Sequence, residues 1–397
     1  MRSPPRERYS FGVRPVTLTA ARRWPLERPP GRRLRVGIVG CGDVAHRRYL
    51  PALADLADQV EVVGTCDSSG EEAARAAASV EGWSGARAYT ETDRLMAEAA
   101  PDAIFNLTPA PAHGMVNQAA LEAGAHVYSE KPIASSVAEA DRLIATAEGA
   151  GLLLLCAPAS AATRRMTWLK EIVGSERFGP LTLAVAHHAD PGPAAWREYT
   201  GDPSVFYREG VGPVFDHGIY RLHELTTLMG PVRRVQAMGS IGSPQRVVRG
   251  CPLAGQTIEV TTPDHVLINL EFAGGALGQL LASFGTAATR APWLELHFTR
   301  GTISFPGASW DREPGASIYA DDDSPLGLEG WTHGVQPPPP DEALGVVETG
   351  VDHFVAVLRG AEAPVLTGEH ARHVLDVILQ AYASISDGQS HETQTTF

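Results

Sequence analysis

The sequence predicts an N-terminal α/β domain built on a doubly wound parallel sheet, followed by a C-terminal α+β domain with a large, mostly antiparallel sheet. Three observations carry that expectation. Residues 34–156 alternate short apolar runs with helical patterns, the rhythm of βαβ units. Past about residue 158 the rhythm changes to strand-like runs joined by glycine turns. A glycine-rich turn also follows the first apolar run directly.

Taken in order, "LRVGIV" (34–39) reads as a buried strand and an amphipathic helix runs from Val44 to Asp58. "VEVVGTC" (60–66), "DAIFNL" (102–107), "HVYS" (126–129) and "LLLLC" (152–156) are further strands. Helical stretches at 70–79, 112–123 and 135–149 lie between them. In the second half, helices are expected at 162–173, 214–229, 349–359 and 368–386. "HVLINLEF" and "ALGQLLASF" flank Gly274–Gly275, and "LELHFTR" and "TISF" flank Gly301, both hairpin signals. A proline-rich loop, "VQPPPPDE" (335–342), is expected at the surface. The domain reading is therefore an arm at 1–33, a nucleotide-binding domain at 34–157 and a substrate and oligomerisation domain at 158–397, with a cleft between the last two.

The 397 residues are 44% hydrophobic, and no apolar run reaches the roughly 18 residues of a membrane span. Residues 1–33 carry nine Arg against two Glu, a local +7; set against the overall −13, the rest of the chain stands at −20. A body this acidic repels polyanions, so neither nucleic acid nor a membrane surface is expected as a partner. The Arg22–Arg23 pair lacks the apolar stretch of an export signal; an extended arm against a partner subunit, or disorder, is expected instead. Four scattered Cys (41, 66, 156, 251) without a CxxC pair fit a reducing cytoplasm.

"GCGDVA" places Gly40, Gly42 and Ala45 at the G-x-G-x-x-[GA] spacing between strand and helix, with Asp43 and Val44 opening the helix. Small residues there permit a tight turn and close backbone approach to a pyrophosphate, which then faces a helix N-terminus. The second strand ends at Asp67, whose carboxylate can accept from both ribose hydroxyls and would repel a 2′-phosphate. NAD is expected ahead of NADP, although Arg75 stands close enough to serve a phosphate.

"NLTPAPAH" (106–113) and "SEKP" (129–132) each follow a parallel strand, at the edge where ligands bind. With the glycine turn and "TPDHVLINLEFAGGALGQLLASF" (262–284), these motifs make the chain resemble the Gfo/Idh/MocA oxidoreductases over about residues 34–390. The resemblance implies a nicotinamide-dependent dehydrogenase or reductase of CH–OH groups in sugars or cyclitols. It also implies a homo-oligomer, dimer or tetramer, paired through the second-domain sheet. Carried over by motif, Thr108, Pro109, His113, Glu130 and Lys131 line the cofactor, with Lys131 near the reacting hydroxyl and Pro132 after a cis peptide. Ala110 stands where the family has Asn, removing one polar contact near the cofactor. The family's Asp and His four residues apart become Asp216 and Tyr220; some members also carry Tyr there.

On helical spacing Asp216, Tyr220 and His223 share one face, and His217 points elsewhere as an incidental residue. A free phenol is a poor base near neutrality, but a lysine ammonium within roughly 4 to 6 Å would favour phenolate. Lys131 beside Tyr220 is thus the expected proton carrier, with Asp216 orienting the substrate and holding Lys131. His223 is expected to bond Tyr220 or line the pocket. Trp196, Arg197 and Tyr207, from an aromatic and charged segment at 193–212, are the candidates for contact with a polyhydroxylated ring. His187, His188 and Asp190, with Asp216, raise the question of a metal. Adjacent strand residues face opposite ways, so no metal is expected, and one of the two His should face the cleft. Two other readings stay open: a glycoside hydrolase working through transient oxidation and elimination with bound NAD, and a non-catalytic NAD-binding regulator.

Overall fold

The computed structural model describes residues 32–175, 177–197, 199, 201–250, 253–306, 315–321, 330–336 and 345–397. Residues 1–31 of the expected arm, Cys251 and most of the proline-rich loop lie outside them. The first domain holds six parallel strands: β1 (Leu34–Val39), β2 (Val60–Cys66), β3 (Arg87–Tyr89), β4 (Ala103–Asn106), β5 (His126–Ser129) and β6 (Leu154–Cys156). Their order is β3-β2-β1-β4-β5-β6. The strands are nearly continuous apolar runs because helices cover both faces. These are α1 (Leu50–Asp55), α2 (Gly70–Ser79), α3 (Thr92–Ala99), α4 (His113–Glu122) and α5 (Val137–Ala150). Local chemistry sets their ends: Ser69 and Ser136 accept from the third backbone N–H of α2 and α5, and Gly151 ends α5 at φ 66°. The pair β3 and α3 went unread in the sequence, since three residues are too few for a periodic signal.

After α6 (Arg164–Gly174) the chain enters β7 (Leu181–Ala189), then α7 (Ile219–Met229), β8 (Val232–Ser240) and the small ribbon β9 (Gln245–Val247) with β10 (Thr257–Glu259). There follow β11 (His265–Phe272), β12 (Leu277–Ser283), β13 (Leu294–Phe298), β14 (Gly301–Phe305), β15 (Ala316–Ala320) and β16 (Gly330–Val335). Two helices, α8 (Val346–Leu358) and α9 (Gly368–Asp387), precede the short β17 (His391–Glu392). The nine-stranded sheet runs β16-β15-β14-β13-β7-β12-β11-β8-β17, and only the β7–β12 pair is parallel. Gly275, at φ 85°, turns the expected β11–β12 hairpin.

The face of this sheet carrying Ile268, Leu280 and Leu296 buries against Leu169 of α6, Leu222 and Leu225 of α7 and Ile378 of α9. The opposite face exposes Met238 (74%), Leu277 (54%) and Leu267 (47%). Helix α8 returns to the parallel sheet, where Phe354 lies edge-on to Phe105 at 5.4 Å. Truncating a fully buried Phe of this kind costs about 3–5 kcal/mol, so this contact pins α8 onto the first domain. Among the described residues no helix is long and apolar enough to cross a membrane.

Candidate active site

Strand order reverses between β1 and β4, which leaves a crevice at the C-terminal edge of the sheet. Gly40 enters it at φ 93°, and a Cβ there would lie 2.5 Å from the Leu107 carbonyl carbon and 2.6 Å from the Thr108 nitrogen. Only glycine lets the β1 and β4 loops touch in this way. A Cβ on Gly42 would meet nothing within 4 Å, so the loop surface is open on that side. Asp43 and Val44 begin the following helix, which widens into a π-helical turn at Ala45–Tyr49 before α1. Just past β2, the Asp67 carboxylate accepts from Cys41 N at 2.8 Å and from Ser69 N at 2.9 Å, which ties the glycine loop to the second strand.

The loops after β4 and β5 form the next wall. Asn106, at the end of β4, bonds the Thr108 hydroxyl (2.7 Å) and donates to Asn117 (2.8 Å), and Asn117 donates to Ser129 and to the Ile133 carbonyl. His113 places its two ring nitrogens 2.6 Å and 2.7 Å from the carbonyls of Pro132 and Thr108. Glu130 accepts from the buried Tyr49 hydroxyl at 2.8 Å and from its neighbour's backbone, Lys131 N. The Lys131–Pro132 peptide is cis.

Lys131 reaches across to the second domain, where its Nζ donates to the carbonyl oxygen and to Oδ1 of Asp216, each at 2.9 Å. Burial disfavours the ammonium, but Asp216, together with Tyr220 and Glu130, outweighs it and the Lys131 pKa rises. Burial alone would raise the Asp216 carboxyl; the adjacent ammonium holds it below its usual range. Asp216 lies in a second π-helical turn, Val214–Gly218, that leads into α7. The turn is wider than an α-turn, so Asp216 and His217 both face this site. His217 Nε2 is 3.3 Å from Asp216 Oδ2, and its Nδ1 is 3.4 Å from Asp190 Oδ2. His188 Nε2 approaches the same Asp190 oxygen at 3.4 Å, and Trp196 stacks on the His217 ring at 5.2 Å. Burial, then His217, pushes His188 down to about 3, while His188 and His217 hold Asp190 well below its usual range against its own burial.

An acidic and basic pair bridging two domains beside a dinucleotide crevice is the arrangement the opening motifs implied. Residues 34–157 match the family model described as "Oxidoreductase family, NAD-binding Rossmann fold", and residues 166–304 match "GFO/IDH/MocA C-terminal domain". The dTDP-3,4-didehydro-2,6-dideoxy-alpha-D-glucose 3-reductase of Streptomyces antibioticus is 30% identical over 284 residues, 68% of this chain and 81% of that protein. The chain belongs to the Gfo/Idh/MocA oxidoreductases. The D-glucoside 3-dehydrogenase of Escherichia coli is 26% identical over 74% of this chain and 80% of its own length. The crystal structure of the WlbA dehydrogenase from Bordetella pertussis, in complex with NADH and UDP-GlcNAcA, shares the fold at a TM-score of 0.68 and 21% identity, over 91% of this chain and 99% of that one.

As a Gfo/Idh/MocA protein, the chain carries an NAD-binding domain, and its residues fit that cofactor. The space over Gly42 and the carboxylate of Asp67 at the end of β2 provide room for a pyrophosphate and an acceptor for ribose hydroxyls. Lys131 and Asp216 come together as expected. Trp196 is half-buried against His217, and Arg197 is exposed beside it.

Five expectations need correction. His113 is a buried brace whose ring nitrogens are turned to backbone carbonyls, not to the crevice. Tyr207 is fully buried, and its hydroxyl accepts from Ala194 N at 3.1 Å, so it supports the loop that carries Trp196 from beneath. His223 is 2% exposed and faces His370, 4.7 Å away, in the interior between α7 and α9. Lys131 does not turn Tyr220 into a phenolate: its Nζ lies 5.5 Å from the ring centroid, and burial outweighs its pull, pushing the phenol up to about 12. His217, read as incidental, instead joins Asp216 to Asp190. The π-turn that brings it in has no sequence signature.

Proposed function

We propose that this chain interconverts a ring hydroxyl and a ketone of a sugar derivative with NAD as redox partner. When bound, NAD supplies the hydride acceptor or donor, and Gly40, Gly42, Asp43, Val44 and Asp67 would hold it. The Lys131–Asp216 pair carries this reading. Asp216 fixes two of the three ammonium protons of Lys131, so that among the described contacts one remains for a substrate oxygen. A stabilised ammonium there favours negative charge on that oxygen and hands over a proton as a ketone is reduced. In the opposite direction the same nitrogen must first release its proton. Tyr220, kept neutral by burial, serves as a hydrogen-bond donor rather than a base. Trp196 and Arg197 are the ring contacts that the loop offers.

The relatives' names support a pyranose-type substrate and reaction at carbon 3, since one is a 3-reductase of a dTDP-linked didehydro sugar and another a glucoside 3-dehydrogenase. Self-association through the open sheet face, with Met238, Leu267 and Leu277, is part of the same reading. The test is NADH consumption by cofactor-stripped protein, with NADPH in parallel, against free and nucleotide-linked ketosugars. Turnover with NADH on one sugar class is expected. Rates indistinguishable from a protein-free control across the panel would overturn the reading.

A further inference from the structure

Asp190, at the end of β7, stands between two histidines from different elements. His188 comes from the same strand, and His217 from the π-turn before α7. His187, whose adjacency to His188 argued against a metal, points away and bonds the Pro292 carbonyl through Nδ1 at 2.7 Å. The objection therefore falls on the wrong pair.

One ligand atom from each of His188, Asp190 and His217 lies within 4.8 Å of the other two. Both histidine nitrogens are 3.4 Å from the Asp190 oxygen. Charge-assisted hydrogen bonds close to about 2.7–2.9 Å, half an ångström less. Ligands on a tetrahedral ion with bonds of about 2.1 Å are separated by about 3.4 Å, the spacing of both histidine–Asp190 pairs. The other nitrogen of His217 faces Asp216 Oδ2 at 3.3 Å, longer than a hydrogen bond but on the side from which an outer carboxylate commonly orients a metal-binding imidazole. Asp190 and Asp216 also bring two carboxylates to the cluster, beside the Lys131 ammonium and within reach of the Arg221 charge.

We propose that His188, Asp190 and His217 form a divalent-metal site selective for Zn²⁺ over Mg²⁺. Two imidazoles and one carboxylate suit Zn²⁺, whereas Mg²⁺ requires oxygen ligands. Three protein ligands leave a fourth position for water or a substrate oxygen, one residue from the Lys131 partner Asp216. The proposal does not depend on the hydride-transfer reading, because binding is measured without turnover.

Protein stripped with dipicolinate is titrated calorimetrically with ZnCl₂ and, separately, with MgCl₂. One Zn²⁺ per chain is expected, with no saturable Mg²⁺ uptake. The Asp190→Asn variant, nearly isosteric, and the His188→Ala and His217→Ala variants should each weaken Zn²⁺ binding at least about 100-fold, beyond the 10–100-fold of an outer-shell partner. NADH affinity and melting temperature, measured alongside, report whether each variant is folded. CoCl₂ in place of zinc should give the intense visible bands of a tetrahedral site. No zinc uptake by the stripped protein, preference for Mg²⁺, or zinc binding unchanged in folded Asp190→Asn and His217→Ala proteins would each overturn the site.

Discussion

Two histidine clusters share one helix and differ in what surrounds them. His217, in the π-turn, lies between Asp190 and Asp216, whereas His223, six residues on, lies in the interior with His370 and has no hydrogen-bond partner on either nitrogen. Burial pushes both His188, in the first cluster, and His223, in the second, down to about 3. A depressed histidine pKa therefore does not mark the site in this fold. The carboxylates do, because they give the imidazoles something to orient and connect them to Lys131.

The sharpest way to break this comparison is to make the same substitution in each cluster. His217→Leu should lower kcat/KM by about 10–100-fold, the usual cost of losing a group that orients a catalytic carboxylate. It should also cost about 1–3 kcal/mol in urea unfolding, since Asp190 and Asp216 are left facing an apolar group. His223→Leu should leave kcat/KM within about twofold and stability unchanged or improved, because it removes two unpartnered buried nitrogens. Equal effects at the two positions would erase the distinction.

The glycine loop provides the next test. Asp67→Ala removes the acceptor at the end of β2 and the brace on Cys41 N, and NADH should bind about 10-fold more weakly while NADPH loses less. Fluorescence titration with both nucleotides checks this. An unchanged ratio would move cofactor choice elsewhere.

The interior cluster should appear in acid rather than in turnover. Burial lowers His223 to about 3 and His373 to about 4, against about 6.5 in the unfolded chain. Between these values the unfolded state binds more protons, so stability is full above about pH 6.5 and falls as the pH drops toward 4. Each histidine contributes up to about 1.4 kcal/mol per pH unit. Urea unfolding of His223→Leu should show a correspondingly flatter slope between pH 6.5 and 4. The smallest effect is expected for Tyr207→Phe, which loses the hydrogen bond to Ala194 N: about 1 kcal/mol of stability, with kcat unchanged.

Much of this was readable in the sequence because it depended on short-range order. The βαβ alternation, the glycine spacing, Asp67 after β2 and Lys131 after β5 each sit at a strand end, where chain order alone dictates position. Asp216 was readable for the same reason, at the start of a helix. What failed depended on geometry that spacing does not encode. The row of Asp216, Tyr220 and His223 assumed an unbroken α-helix, and the π-turn at Val214–Gly218 shifts the register so that His217 enters the site. His223 and Tyr207 are polar residues with buried environments assembled by distant elements, α9 and the β9–β10 ribbon, which no local pattern reveals. The expected phenolate failed on magnitude: one ammonium near the ring does not offset the desolvation of the partly buried Tyr220.

The proton-carrying role of Lys131, held by Asp216, is the reading on which the proposed chemistry rests. It is tested most directly by the NADH-dependent kcat of Lys131→Met, measured at saturating NADH on the sugar that the wild-type protein turns over. A fall of at least about 100-fold is expected, with NADH affinity within about twofold of wild type, the signature of a lost proton-transfer group. A rate close to wild type would contradict it and return the proton step to another residue.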